Sequence, residues 1–188
     1  MVTEQLSPRT RTRRSALTTV PPRGSAGVRD LLAEHGVGGP GGTDLLLALL
    51  PDDPAEVAEQ ALIENTGDGS VVGFCSFSRL DTEAGAVQVD VHVDQDTAPV
   101  GMTFEATMAV VDHAFNRWGV QRVAIWSAGE RADQLATRPG VLAEAREMPE
   151  GVRSTGVPGA RLFVITRDRW ERYGTRFLEW LVRPPADR

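Results

Sequence analysis

The sequence has 188 residues and a formal net charge of −6, which fits one domain and argues against a general nucleic-acid partner. Its single cysteine excludes an internal disulfide and a cysteine-based zinc site. It holds no run of about 18 apolar residues and no apolar signal segment, so we expect a cytoplasmic protein with no membrane partner.

Residues 1–15 are typical of a disordered leader, because arginines stand among serine and threonine with no apolar period. A docking arm for an acidic partner is the alternative. The arginines of this stretch are Arg9, Arg11, Arg13 and Arg14. We expect a single domain over residues 16–188, with an edge strand near Ser15–Val20 that ends at Pro21.

The next part of the chain predicts helices followed by a strand. Apolar residues at helical spacing indicate helices at Ser25–His35 and Asp44–Leu50. A third helix is predicted from Asp53, or one residue earlier, to about Leu62. A glycine-rich turn then leads into a strand at Val71–Leu80.

An alternating segment, Ala86–Asp94, predicts the central strand of the protein. Valine occupies each odd position from residue 87, and a polar residue occupies each even position from residue 88, which is the period of a β-strand. The polar face presents Gln88, Asp90, His92 and Asp94 in a row about 7 Å apart.

A long helix follows this strand after a short turn. Phe104, Met108, Val111, Phe115 and Trp118 recur at steps of four and three, which is the buried stripe of an α-helix. Gly119 is placed to end it in the left-handed conformation, and a further strand begins at Arg122. In such a strand–helix–strand crossover, the N–H groups of the first helical turn face a crevice that suits an anionic ligand.

Five segments of this chain together resemble the GNAT superfamily of N-acetyltransferases, most closely the branch that acetylates ribosomal-protein N-termini and aminoglycosides. The resemblance covers roughly residues 70 to 171 and keeps the order of the segments. They are Val71–Phe77, Glu105-Ala106, Val110–Val123, Glu150-Gly151-Val152-Arg153 and Leu162–Glu171.

The resemblance implies an α/β (α+β) fold with a mixed, mostly antiparallel sheet of six to seven strands and helices on both faces. It also implies acetyl-CoA or another acyl-CoA as a substrate, and no metal. The backbone amides of the turn, and not a side-chain cation, are expected to hold the pyrophosphate; they are those of Val100, Gly101, Met102, Thr103 and Phe104. The amides of Val91 and Val93 are expected to hold the pantetheine.

The sequence departs from the family pattern in the turn before the long helix. In the family register, Ala98 stands where an arginine or glutamine is usual, and Pro99 stands where a glycine is usual. Proline has no N–H to offer a phosphate. The tyrosine that often protonates the leaving thiolate is also absent, because the one tyrosine of the chain is Tyr173.

Three side chains are candidates for catalysis. The resemblance puts His92 beside the acyl group, and an imidazole with a pKa of about 6.5 suits a general base. Asp90 would orient it or bind the ammonium of the acceptor, and Ser127 would replace the missing tyrosine as proton donor. The alternative is a strand whose polar face is solvated or hydrogen-bonded to its neighbours. Cys75 and His113 are expected to have structural roles.

Three functions therefore remain open. The first is transfer of an acyl group from coenzyme A to an amine of a small molecule or a peptide. The second is a binding or accessory protein with this fold, and the third is redirected chemistry such as decarboxylation or cyclisation in natural-product biosynthesis. All 20 basic residues are arginine, as in GC-rich genomes such as those of actinobacteria. We therefore count antibiotic biosynthesis among the biological roles expected for this protein.

The end of the chain predicts an apolar helix at about residues 168–182. Its large side chains step at helical spacing, and we expect them to form a homodimer contact, with padding of the core as the alternative. They are Trp170, Tyr173, Phe177, Trp180 and Leu181.

Overall fold

One mixed sheet organises the computed structural model, which describes residues 11–38, 43–129, 132–133 and 142–182. The strands are β1 Ser15–Val20, β2 Val57–Asn65, β3 Val71–Asp81, β4 Ala86–Val93, β5 Arg122–Ser127, β6 Ala143–Glu144 and β7 Arg161–Thr166. The helices are α1 Ser25–Glu34, α2 Asp44–Leu49, α3 Met102–Trp118 and a C-terminal helix, α4, which joins Arg167–Arg169, a π-helical turn at Trp170–Gly174, and Thr175–Val182. None of the helices described is long and apolar enough to cross a bilayer.

The seven strands lie in the order β1-β2-β3-β4-β5-β7-β6. Every neighbouring pair is antiparallel except β4 and β5, which are parallel. A parallel pair needs a crossover, and α3 supplies it. The prediction of a mixed, mostly antiparallel sheet of six to seven strands is confirmed.

Helices cover both faces of the sheet. On one face, α3 and α4 pack against the odd-numbered valines of β4 and against β5 and β7. On the other face, α1 and α2 pack against Leu62 of β2 and Phe74 of β3. The two faces of β4 therefore belong to two different layers of the protein.

The helix predicted from residue 53 to about residue 62 is wrong. The structure has one 3-10 turn at Pro54–Glu56, and the chain then enters β2, which pairs with β1 and β3. Alanine and glutamate favour a helix in isolation. The segment forms a strand instead, because its side chains are buried alternately on the two faces of the sheet. Ala61 and Ile63 pack in the α3 layer, and Leu62 packs in the α1 layer.

The long helix begins and ends as its sequence predicts. Gly101 (φ +84°) and Gly119 (φ +65°) both adopt the left-handed conformation at its two ends, which glycine reaches without steric cost. Met102, the first residue of α3, is completely buried.

The last part of the predicted leader is folded onto the domain, so its boundary at residue 15 is corrected. Thr12 is 5 % exposed and its hydroxyl donates to the carboxylate of Glu105 in α3. Arg14 forms an ion pair with the same carboxylate. We call Thr12, Arg14 and Glu105 the N-terminal anchor. Residues 1–10 lie outside the described residues.

The N-terminal segment also contacts the end of α4. The backbone N–H and the Nε of Arg13 both donate to the carbonyl of Leu181, at 3.4 and 3.2 Å. The Arg13 guanidinium carbon lies 5.8 Å from the centre of the Trp180 ring. The beginning and the end of the described chain thus meet beside α3.

The helix α4 presents apolar side chains to solvent. Phe177 is 49 % exposed and Trp180 is 67 % exposed, whereas Trp170 is buried and its indole N–H donates to Asp112 at 3.2 Å. The helix therefore both pads the core and carries an exposed aromatic surface, and the homodimer contact stays a prediction.

Replacing Phe177 and Trp180 by glutamate is expected to produce a smaller species in sedimentation, because charges on an apolar contact oppose its burial. Helix content measured by circular dichroism should be unchanged. Arg176→Glu, an exposed residue of the same helix, is the control. A wild-type chain that sediments as a monomer at about 50 μM, well above the dissociation constants of stable dimers, would contradict the prediction.

Candidate active site

The parallel pairing of β4 and β5 is short. It comprises Ala86↔Arg122, Val87↔Val123 and Gln88↔Ala124. Both strands continue past the last pair, to Val93 and Ser127. The two strands therefore part after Gln88 and leave a gap between them at the end of β4 that leads to α3.

The backbone of β4 directs alternate amides into this gap. The N–H of Asp94 donates to the carbonyl of Val72, at 2.9 Å, on the β3 side. Because N–H groups alternate in direction along a strand, those of Val91 and Val93 point away from β3 and towards β5. Both N–H groups are therefore directed towards the gap, and their contact with a pantetheine stays a prediction.

The turn before α3 offers fewer amides than predicted. The N–H of Met102 donates to the carbonyl of Pro99 at 3.0 Å, so this amide stabilises the turn and the prediction of a phosphate contact for Met102 is corrected. Gly101 is exposed. Its φ of +84° turns the chain sharply there. Val100, with a side chain 96 % exposed, and the first-turn residues Thr103 and Phe104 lie at the same end of α3.

An arginine that sequence reasoning missed lies at this turn. Nη1 of Arg14 donates to the carbonyl of Val100 at 3.0 Å, and Nε donates to Glu105 at 2.8 Å. A Cβ added to Gly101 would come within 3.3 Å of Nη2 of Arg14. The signal for this contact was Glu105, because a carboxylate on a buried position of α3 requires a cation or several donors.

The polar row of β4 is buried, not solvated. Gln88 is 3 % exposed and Asp90 is 2 % exposed. The side-chain amide of Gln88 donates to both oxygens of Asp90, at 2.9 and 3.2 Å, and to the carbonyl of Leu49 in α2 at 3.4 Å. Nη1 of Arg79 in turn donates to Oε1 of Gln88 at 2.6 Å.

Two serine hydroxyls lie next to this row. Ser76 and Ser78 of β3 are the cross-strand neighbours of Asp90 and Gln88. Within the described part of the chain, neither hydroxyl has a hydrogen-bond partner, and both are completely buried. A buried polar group without a partner costs about 1–3 kcal/mol, so these two hydroxyls add to the polar character of the layer.

His92 continues the same face towards the gap. It lies two residues beyond Asp90 and opposite Phe74 of β3, and its Nε2 is shielded from solvent. Gly73 allows β3 to approach closely here, since a Cβ at Gly73 would lie 2.3 Å from the carbonyl oxygen of His92. Asp90 and His92 are therefore brought together on one face, as the sequence predicts.

Ser127 lies on the opposite face. Its alternation partners in β5, Val123 and Ile125, belong to the α3 layer, and Ser127 is 1 % exposed. Its hydroxyl has no hydrogen-bond partner among the residues that the structure describes. The sheet thus separates Ser127 from Asp90 and His92, and Ala124 and Trp126 are β5 residues that share their face.

A cavity of about 530 Å³ lies at the far end of the polar row. Glu56, Arg79 and Arg153 contribute charged side chains to its lining, and the two arginines lie 3.9 and 3.6 Å from the Glu56 carboxylate. Arg79 has a φ of +50°, at a bulge in β3, which sends its side chain across to Gln88. The cavity and the buried row are therefore connected through Arg79.

The remaining titratable candidates have structural surroundings. Nε2 of His113 lies 2.9 Å from Glu59, and its ring packs against Phe77 and Trp118. Cys75 is completely buried, and burial raises the pKa of its thiol, with a smaller contribution from the charge of Glu59. Over the described ranges, no group of three histidine, cysteine or acidic side chains is arranged to hold a metal ion.

No family model and no curated protein matches this sequence. Among solved structures, the chain is similar to apo FdhC, described as a nucleotide-linked sugar GNAT, with a TM-score of 0.63 and 9 % identity over 91 % of this chain and 97 % of that one. It is similar to a chimera of the Vibrio cholerae spermidine N-acetyltransferase SpeG and hSSAT, with a TM-score of 0.58 and 11 % identity over 85 % and 99 % of the two chains.

A third similar structure is the Vibrio cholerae spermidine N-acetyltransferase in complex with CoA and spermine, with a TM-score of 0.50 and 11 % identity over 77 % of this chain and 76 % of that one. At these identities the likeness shows the fold. The chain has the GNAT fold, as the sequence predicts. Its resemblance to the branch that modifies ribosomal proteins stays a prediction.

The Cys75 thiol is expected to resist an aromatic disulfide reagent in the native protein, because its raised pKa keeps it protonated at neutral pH and its side chain is buried. In denaturant, the same reagent should report one thiol per chain. Rapid labelling of the native protein would contradict this placement.

Proposed function

We propose that this chain is an acyl-CoA-dependent N-acyltransferase, with acetyl as the expected acyl group and an amine of a small molecule or a peptide as acceptor. The observation that carries the proposal is the gap between β4 and β5, which opens at the N-terminal end of α3. The GNAT fold supports it, and a similar structure was determined with CoA and spermine. A cytoplasmic location belongs to the same proposal.

The residues at the gap fit the two halves of the coenzyme. At the phosphate end, the left-handed backbone of Gly101 and the guanidinium of Arg14 leave a cradle that a Cβ would fill. Along the gap, the N–H groups of Val91 and Val93 point towards β5. This direction suits hydrogen bonds to the amide groups of a pantetheine that lies between the two strands. The coenzyme would supply an activated thioester at the end of this path.

In the proposed reaction, the nitrogen of the neutral acceptor amine attacks the thioester carbon, and His92 accepts a proton from this nitrogen as the C–N bond forms. The C–N bond forms as the C–S bond breaks. Asp90, a buried carboxylate two residues from His92, stabilises the positive charge that develops on the imidazole. The departing thiolate takes this proton back from the imidazolium of His92, because Ser127, the donor expected from the sequence, lies on the other face of the sheet and is buried.

The second candidate is a protein with this fold that transfers no acyl group, either an accessory protein or an enzyme with redirected chemistry. Its support is the turn before α3, where Pro99 lacks an N–H and its carbonyl accepts the N–H of Met102. At these two positions the turn therefore offers no N–H group that could bind a phosphate.

Calorimetry with CoA and a thiol-release assay with acetyl-CoA separate the two candidates. The first predicts micromolar or tighter binding together with release of free thiol that depends on an added amine, tested on polyamines, amino sugars and peptides. Because Cys75 is buried, thiol reagents will report the coenzyme alone. Binding without release on any amine supports the second candidate, and no binding contradicts the first.

His92→Gln is expected to lower kcat by about 100-fold or more, the usual scale for loss of a general base, with CoA affinity unchanged. The acidic limb of the kcat profile, which arises where the general base is protonated, should disappear. His35→Gln, an exposed histidine after α1, is the control. A variant with wild-type kcat and an unchanged profile would return His92 to a structural role.

Gly101→Asp is expected to weaken CoA binding by about tenfold or more, because a carboxylate at the turn repels phosphate and the left-handed backbone disfavours a side chain. Gly69→Asp is the matched control, since Gly69 has a φ of +74° with nothing within 4 Å of an added Cβ. Equal CoA affinity of the Gly101 variant and the wild type, measured by calorimetry, would exclude the turn as the phosphate site.

A further inference from the structure

The first turn of α3 contains a carboxylate where an anionic ligand is expected. Glu105 is 1 % exposed, and an uncompensated negative charge there would repel a phosphate at the helix N-terminus. The N-terminal anchor compensates it. Glu105 accepts hydrogen bonds from the Thr12 hydroxyl, from the backbone N–H of Arg14 at 3.0 Å and from Nε of Arg14 at 2.8 Å.

These contacts fix the Arg14 guanidinium in one orientation. Nε is committed to Glu105 and Nη1 to the carbonyl of Val100. Nη2 lies on the Gly101 side, 3.3 Å from where a Cβ of that residue would be. The side chain is 41 % exposed, so a ligand can reach it from solvent.

We propose that Arg14 contacts the pyrophosphate of the bound coenzyme through Nη2, so that a residue from before the first strand supplies the cation of the phosphate site. The proposal rests on the proposed function. A guanidinium has five N–H donors in a plane, and two contacts to this chain leave donors for phosphate oxygens. Glu105 is the positioning residue, because its carboxylate holds Nε and thereby aims Nη2.

The site explains how the turn could work with Ala98 and Pro99 in it. Ala98 packs against the core and carries no charge, and Pro99 offers no N–H. One fixed guanidinium beside the exposed backbone of Gly101 provides charge-assisted hydrogen bonds, which are about twice as strong as neutral ones. The donor lost from the turn itself is replaced by one that comes from far away in the sequence.

Calorimetric titration with two probes, CoA and pantetheine, tests this contact. Pantetheine lacks the pyrophosphate and the nucleotide but retains the part that lies along β4. Arg14→Gln should weaken CoA binding by about tenfold or more, the scale for losing a hydrogen bond to a charged group. Its affinity for pantetheine should stay within about twofold of wild type, because that probe makes no contact with Arg14.

Two further variants separate binding from folding. Arg14→Gln combined with Glu105→Gln removes both charges and keeps a hydrogen-bonding pair, so its thermal midpoint should stay close to wild type while the loss of CoA affinity remains. Arg11→Gln removes an exposed arginine of the same segment and should leave CoA affinity unchanged.

Wild-type CoA affinity in the double variant would overturn the proposal. Equal weakening of CoA and pantetheine by Arg14→Gln would also overturn it, since it would indicate a structural role alone. The same loss in Arg11→Gln would indicate a general effect of surface charge and count against it. A wild-type chain that binds neither probe would instead overturn the proposed function, and the Arg14 contact with it.

Discussion

The two faces of β4 impose the constraint on which the rest of this protein depends. Its valines belong to the α3 layer, and its polar side chains belong to the α1 and α2 layer. A shift of one residue in register would exchange the two sets and place Asp90 and His92 under α3. The pairing Ser76↔Asp90 with β3 is therefore strongly specified. The positions of the gap, the polar row and the turn before α3 all follow from this one register.

The same strand joins two parts of the sheet that are otherwise separate. Strands β1 to β4 form one antiparallel part, and β5, β7 and β6 form another. Only three residue pairs connect them across β4 and β5. The crossover helix α3, of 17 residues, packs over both parts, and its first turn lies beside the gap. The opening that suits a coenzyme is thus a consequence of how the sheet is joined.

The sequence predicts the elements whose signals are local. The alternation of β4, the apolar stripe of α3 and the left-handed Gly119 at its end are found as predicted. The sequence of β2 predicts a helix, because alanine and glutamate favour that conformation. Its strand conformation depends on pairing with β1 and β3, which local sequence does not show. The placement of Arg14 could not be predicted, since its partner Glu105 is 91 residues away. Ser127 is the last residue of β5, next to the gap, but the face of the sheet on which its side chain lies depends on the register of β5.

The contact between Arg13 and Leu181 has a consequence for the order in which this protein can assemble. The two residues are separated by 168 positions, and the segment they secure also carries Arg14 and the support of Glu105. During synthesis the N-terminal segment emerges first, yet it cannot be clamped until α4 has left the ribosome. The central sheet and α3 can form earlier from contacts closer in sequence. We therefore expect the segment that carries Arg14 to dock beside the turn before α3 late in folding, after the last residues of α4 have been synthesised.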